Sequence, residues 1–198
     1  SAFIGEALTR ILDQIESGVN RATHLVQQLL RLARLDPLKS VESAAPIDLR
    51  AILTEAAGQA RNASPPVVQK IIEAYPKGDL ISHGDADLIG IAIRNLLDNA
   101  IRYTQSEHTV WLEASTGSDG YTLSVRDNGP GVPPATLARL GERFYRGRET
   151  TTEGNGLGLA IVSRVAELHG ARLETGNAAG GGFVASLSGL PLGHSTSL

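Results

Sequence analysis

From Ile4 the apolar positions advance in alternating steps of four and three: Ile4, Leu8, Ile11, Ile15, Gly18, Ala22, Leu25, Leu29 and Leu32. Such a heptad seam predicts a long helix packed on another helix. A second stripe, Val19, Val26, Leu30 and Ala33, widens the apolar face in the later half, as a four-helix bundle requires. One helix cannot bury that surface alone, so a partner helix is expected from a second copy or from chain upstream of Ser1. Asp36-Pro37 ends the helix, because the residue before a proline is driven out of the helical region. Residues 37–46 carry no periodic pattern and read as a linker, which places a domain boundary there.

The rest of the chain changes its period repeatedly. Ile47 to Leu49 reads as a short edge strand and Leu49 to Ala63 as a helix with Leu49, Ile52, Leu53 and Ala56 inward, closed by Pro65-Pro66. Strands at Val67–Tyr75 and Leu80–His83 flank a turn at Pro76-Lys77-Gly78-Asp79. A helix is expected from about Asp85 to about Thr104. His108–Ser115 and Tyr121–Asp127 alternate around Ser118-Asp119-Gly120, a hairpin signal. After a glycine- and arginine-rich stretch, a helix from Leu157 to His169 stops at Gly170. Arg172–Thr175 and Gly182–Leu187 form a last hairpin, and 192–198 reads as a disordered tail. This order predicts an α+β fold: a two-layer α/β sandwich, a mixed sheet of about five strands with three helices on one face, preceded by a long dimerisation-type helix.

The helix at 85–104 departs from simple amphipathicity. Ile89, Ile93, Leu96 and Ala100 form a wholly apolar stripe, but in its neighbour Leu88, Ile91, Asn95, Asn99 and Tyr103 two carboxamides interrupt a face that should be buried. An unpartnered carboxamide in an apolar interior costs roughly 1–3 kcal/mol, so the pair either binds something polar or caps nearby loops.

Composition narrows the chemistry. Among 198 residues the net charge is -3 and there are no cysteines, which excludes disulfides, zinc thiolate sites and thiol catalysis. Nothing marks a nucleic-acid binder or a membrane-surface protein. No apolar run approaches the roughly 18 residues of a membrane helix, so the polypeptide is expected to be soluble. Methionine is absent even from position 1, which suggests a piece of something longer.

Three further segments carry chemistry. Asp127-Asn128-Gly129-Pro130-Gly131 comes directly after a strand, where an aspartate can accept from an exocyclic amine and glycines let the backbone pass close to a flat ligand; an ordinary turn fits the same residues. Gly154-Asn155-Gly156-Leu157-Gly158-Leu159 opens a helix and frees N–H groups at its positive end, suited to phosphates, with neither P-loop nor dinucleotide-fold spacing. Between them, Arg143, Phe144, Tyr145, Arg146 and Arg148 suit a lid over an anionic ligand or a solvated surface loop.

In this order the segments NLLDNAIRY (95–103), DNGPG (127–131), ERFYRG (142–147) and GNGLGLAIV (154–162) resemble the N, G1, F and G2 boxes of sensor histidine kinases, within the ATPase superfamily that includes gyrase B and the MutL proteins. ELHGARLETGN (167–177) is similar to the segment on the C-terminal side of the G2 box in that family, and RATHLVQQLLRLARLD (21–36) resembles the second helix of its dimerisation and phosphoacceptor hairpin. The resemblance implies a dimerisation segment at 1–36, a linker at 37–46 and a catalytic ATP-binding domain at 47–191. It implies that Asn99, with Asn95, holds the Mg²⁺ bridging the phosphates of ATP and that Tyr103 lies along the nucleotide. Arg102 would face the phosphates, or else pair with Asp98 on the helix surface. Asp127 would bond the adenine amino group, with Gly129, Gly131 and Val132 shaping the base pocket. Gly154, Gly156 and Gly158, with Asn155, Leu157 and Leu159, would form the phosphate-binding start of the helix, and Arg143, Phe144 and Arg146 the lid.

Hydrolysing members of the superfamily place a glutamate where this chain has Asn95; an amide is no general base, so the γ-phosphate would be kept for another acceptor. The acceptor histidine of such kinases has Glu or Asp as its next residue, and none of the five histidines here does. The resemblance therefore implies a protein-histidine kinase piece, the acceptor lying upstream, unable to phosphorylate itself. Its parent would be a homodimeric bacterial inner-membrane sensor with this end in the cytoplasm, relaying phosphate to a response-regulator aspartate. Two rivals are a gyrase-type ATP hydrolase and a non-catalytic nucleotide-sensing or dimerisation module.

Overall fold

The computed structural model describes residues 2–41, 44–63, 70–103, 109–140, 142 and 156–193. The chain runs through α1 (Ala2–Leu35), β1 (Ala45–Asp48), α2 (Leu49–Ala63), β2 (Lys70–Ala74), β3 (Ile81–Gly84), α3 (Ala86–Tyr103), β4 (Thr109–Gly117) and β5 (Gly120–Asp127). A single turn, α4 (Pro134–Leu137), precedes α5 (Gly158–Leu168), β6 (Arg172–Asn177) and β7 (Phe183–Leu190).

Five strands form one mixed sheet in the order β2-β4-β5-β7-β6, with β2 and β4 parallel and the other pairs antiparallel. Strand periodicity decides which face is covered. Val110, Leu112 and Ala114 of β4 and Tyr121, Leu123 and Val125 of β5 are buried, while Trp111, Glu113 and Arg126 point the other way, the Arg126 guanidinium lying 3.7 Å from the Trp111 ring centre. Against the buried face pack α2, α3 and α5, with α3 between the other two. Their facing stripes, Leu49 and Leu53, Ile89, Ile93 and Leu96, and Ile161 and Val165, are essentially inaccessible. This is the two-layer α+β sandwich expected from the pattern.

Local chemistry sets the helix ends. Asp48 Oδ1 accepts from the Arg50 and Ala51 N–H groups at the start of α2, and Asp85 Oδ1 accepts from the Leu88 N–H at the start of α3. At the end of α5, Gly170 adopts φ 66° and the Ala171 N–H reaches back to the Ala166 carbonyl, so the chain reverses without a β-carbon penalty. The start of α3 is fixed from a distance as well. His169 is buried, its Nε2 accepting from the Asp85 N–H at 3.0 Å and its Nδ1 bonded to the Val165 carbonyl at 2.8 Å, so it holds α5 to the helix that carries the asparagines.

The structure refines or adds to the expected elements at four places. The strands expected on either side of the turn at 76–79 lie in different sheets: β2 joins the large sheet beside β4, whereas β3 pairs antiparallel with β1 in a separate two-stranded sheet. The intervening turn wraps around Arg50, which donates to the Pro76 and Gly78 carbonyls and stacks over Tyr75. The short edge strand spans Ala45–Asp48 rather than 47–49, so the last residues of the expected linker are already extended and paired. The expected disordered tail is anchored at its start, because Leu192 bridges to Ser82 and the Gly193 N–H donates to the Ile81 carbonyl; residues 194–198 lie outside the described residues. Finally, α4 is an addition to the expected elements, too short for any periodic signal to mark it.

The long helix is real, and its two ends differ. Leu8, Ile11, Ile15 and Val19 remain 52–58% exposed, while Gln28, Leu32 and Leu35 are buried against the sandwich. Arg164 of α5 secures that buried end by donating to the Leu35, Asp36 and Leu38 carbonyls, where a helix terminus leaves acceptors unsatisfied. Leu38 and Val41 also pack on the core, and the Val41 N–H donates to the Leu168 carbonyl.

Candidate functional site

Asn95 and Asn99 stand one turn apart on the later half of α3. Asn95 is 7% exposed; its Nδ2 donates to the Ile91 carbonyl at 2.8 Å, and its Oδ1 accepts from Gln28 Nε2 of α1 at 3.3 Å. Asn99 is more open, and its side chain has no hydrogen bond to the described residues. Among the described residues neither amide caps a loop: Asn95 faces another helix, and Asn99 faces the start of α5. A β-carbon on Gly158 would lie 3.3 Å from Asn95 Oδ1 and 3.5 Å from both polar atoms of the Asn99 amide. Only hydrogen at that position leaves the space beside the two amides open.

The first turn of α5 contains no acidic residue, and no side chain caps it. Among the described residues its positive end thus meets the asparagine pair with no carboxylate beside it. Gly156 enters the turn at φ 68°, a conformation that favours glycine, and Leu157 is fully buried, anchoring the entry to the core. Leu159 packs partly against the same core.

The Asp127 end of the sheet is where β5 stops, β7 starts and β6 ends, since Val110 faces Asp127 and Asn177 faces Phe183 across the strands. Asp127 is 5% exposed, and Oδ1 takes two backbone hydrogen bonds, from Gly129 at 2.8 Å and from Phe183 at 3.1 Å. Both bonds use the same oxygen, so among the described residues Oδ2 keeps its acceptor capacity. Gly182 is required beside it: at φ 94° a β-carbon would sit 1.9 Å from the Asp127 carbonyl oxygen. Gly131 adopts φ 74°, and next to it the Val132 backbone is clasped at both polar groups by Asn177, N–H to Oδ1 at 2.8 Å and Nδ2 to C=O at 2.8 Å.

The described residues thus bring Asn95, Asn99, Gly158, Gly156, Leu157 and Leu159 to one end of α5, and Asp127, Gly129, Gly131 and Val132 to one end of β5. Arg102 is exposed on α3 one turn beyond Asp98, also exposed. Tyr103 closes α3 with its side chain outside the described residues, and Arg143, Phe144, Arg146, Gly154 and Asn155 lie outside them altogether. Sequence reading missed Gln28, Asn177 and Gly182. Gln28 had a signal, an amide in the apolar series Leu25, Gln28, Leu32, Leu35; Asn177 and Gly182 act across 45 and 55 positions and had none.

These residues fit a magnesium nucleotide. Among the described residues no group of three His, Cys, Asp or Glu could hold a metal alone; a cation held here by the Asn99 amide would need phosphate oxygens or water as further ligands, as Mg²⁺ commonly takes. Among the described residues one buried polar atom near the pair, Gln28 Oε1, has no hydrogen-bond partner.

The profile of the family described as histidine kinase-, DNA gyrase B-, and HSP90-like ATPase matches residues 84–194. Over 183 residues the chain is 41% identical to the sensor protein QseC of Escherichia coli K12, covering 92% of this chain and 40% of QseC. The solved cytoplasmic segment of histidine kinase QseC superposes with a TM-score of 0.61 at 31% identity, over 87% of this chain and 95% of that one. Full-length ShkA in complex with AMPPNP superposes with a TM-score of 0.75 at 29% identity, over 87% of this chain and 36% of that one. The chain spans about 40% of the length of the curated relatives it matches. With a profile match over more than half its length and the QseC segment matched nearly end to end, this chain belongs to the histidine kinase, gyrase B and HSP90-like ATPase family and carries the ATP-binding domain of a sensor histidine kinase.

Proposed function

We propose that the chain binds Mg·ATP between α3, α5 and the Asp127 loop and serves a protein-histidine kinase that passes the γ-phosphate to a histidine. The observation that carries this reading is the start of α5, with no acidic residue in its first turn, facing the two amides across Gly158. Asp127 Oδ2 accepts from the adenine amino group while Oδ1 is held by Gly129 and Phe183, so the carboxylate is oriented before ligand arrives. Gly129, Gly131 and Val132 form the wall of the base pocket, with Asn177 fixing Val132. Asn99 is the open amide ligand for magnesium, with Asn95 beside it, and the bound ion neutralises phosphate charge. Gly154, Asn155, Gly156, Leu157, Gly158 and Leu159 present backbone N–H groups to the phosphates. Arg102 and Tyr103 flank the nucleotide, and Arg143, Phe144 and Arg146 form its lid.

Transfer is favoured over hydrolysis by the state of Asn95. Its Nδ2 and Oδ1 are already engaged with Ile91 and Gln28, and an amide cannot take a proton from water. In the parent kinase the phosphohistidine would supply a response-regulator aspartate. Residues 1–36 would pair with the acceptor helix in a homodimer, 37–46 would connect, and 47–191 would act as the catalytic domain. The exposed seam of α1 supports that pairing. Among the described residues no helix is long and apolar enough to cross a membrane; attachment of the parent to a bacterial inner membrane, with this part in the cytoplasm, belongs to the same proposal.

Calorimetry with a non-hydrolysable ATP analogue tests the pocket. Binding should require magnesium for full affinity, and Asp127→Asn should weaken it at least about tenfold by presenting donors to the adenine amine; unchanged affinity would overturn the assignment. With γ-labelled ATP this chain alone should acquire no acid-labile label, whereas an added acceptor-helix fragment should.

A further inference from the structure

Gln28 belongs to α1, outside the residues that the family profile matches, yet it is buried to 4% exposure and touches the nucleotide-site amide Asn95. Chemistry fixes its orientation. The Ile91 carbonyl can only accept, so it must receive Asn95 Nδ2; Asn95 Oδ1 then faces Gln28 and demands a donor there. Rotating the Gln28 amide would set two oxygens against each other. Nε2 is therefore committed to Asn95, and Oε1 is left buried with no donor among the described residues. A leucine at this position would simply continue the stripe of Leu25, Leu32 and Leu35. The position instead carries an amide whose free end is an acceptor, one residue away from Asn99, the open amide of the pair beside Gly158.

We propose that Gln28 is a positioning residue of the nucleotide site, its free Oε1 accepting a hydrogen bond from a magnesium-bound water and so tying α1 to the metal. The inference rests on the Mg·ATP reading above. Magnesium retains several waters when it binds through few protein ligands, and each such water is a strong donor that needs an acceptor. No proton is transferred and no bond of the nucleotide changes at Gln28; it accepts one hydrogen bond and donates another. Position of the helix and occupancy of the metal then depend on each other.

The test compares affinity for a non-hydrolysable ATP analogue in magnesium with that in EDTA, for wild type, Gln28→Leu and Gln28→Glu. Gln28→Leu keeps the volume and removes the acceptor, so the magnesium-dependent gain should shrink about tenfold while affinity in EDTA stays within about twofold. Gln28→Glu keeps an oxygen acceptor but loses the donor to Asn95, so it should retain most of the magnesium gain. Equal weakening by Gln28→Leu in magnesium and in EDTA would mean that the side chain only packs α1, and overturns the proposal. So would equal loss of the magnesium gain in both variants, because then only the bond to Asn95 mattered. A wild-type chain without magnesium-dependent binding would instead sink the nucleotide reading itself, and this inference with it.

Discussion

Replacing Gly158 by alanine separates ligand binding from folding more cleanly than any other change near the site. Its backbone is not in the left-handed region, and it occupies the first helical position of α5, so alanine meets no conformational penalty. Helix propensity favours alanine by up to about 1 kcal/mol. The added methyl would stand 3.3 Å from Asn95 Oδ1 and 3.5 Å from the Asn99 amide, contacts that neighbours relieve by a few tenths of an ångström. Asn95 has little freedom to retreat, being bonded to both Ile91 and Gln28, so the methyl stays in the space where phosphate and metal would sit. Loss of a single charge-assisted hydrogen bond costs about 1.5–3 kcal/mol, which is at least about tenfold in affinity. We therefore expect Gly158→Ala to unfold at the same or a slightly higher denaturant concentration than wild type while its calorimetric affinity for an ATP analogue falls tenfold or more. Affinity within about twofold of wild type in a folded variant would refute the placement of the phosphates, and weaker binding that merely tracked lost stability would refute the claim that the space is kept for ligand.

Separate parts of the molecule carry the remaining expectations. Asn95→Glu places a carboxylate where a base could activate water, so ATP hydrolysis should rise about tenfold or more in a phosphate-release assay; no rise would show that amide chemistry is not what restrains hydrolysis. Gly84→Ala drives a β-carbon to 2.5 Å from His169 Cδ2 and 2.8 Å from Nε2, which forces the imidazole off the Asp85 N–H. Urea unfolding should reveal a loss of about 1–3 kcal/mol, and a change below about 0.5 kcal/mol would refute the clasp. Burial pushes the Glu73 carboxyl up, but hydrogen bonds from Arg61 and Tyr75 outweigh it and hold the group below the ordinary carboxylate value. A carboxyl depressed in the folded state contributes stability above its unfolded pKa and loses it as pH falls through the folded pKa. Glu73→Gln should accordingly lose less stability than wild type on acidification below the ordinary carboxylate value of 4.5; identical acid profiles would refute the role.

How much could be read from the chain depended on the range of each interaction. The helices α2, α3 and α5 and the β4–β5 and β6–β7 hairpins were legible because period, caps and turn residues act within a few positions, as Asp48, Asp85 and Gly170 do. Pairing of β2 was not, since its partner β4 lies beyond β3 and α3. At the site, Asn95, Asn99, Asp127 and Gly158 stood out as polar or glycine positions in otherwise apolar settings. Asn177 did not, because an amide at a strand end acquires meaning only from the group the fold brings opposite it, here Val132, and Gln28, marked as an amide in an apolar series, carried no sign that its partner is Asn95.

The small sheet has a consequence for the connectivity of the sandwich. Ser82 of β3 has Ile47 as its partner on one side and Leu192 on the other, so the points where the chain enters and leaves this layer are two strand spacings apart, about 10 Å. The shortest hydrogen-bonded route between those two points runs through β3 and not through the five strands that shape the pocket. The unit is in that sense a cassette, open to circular permutation through a bridge of a few residues without rethreading any strand of the larger sheet.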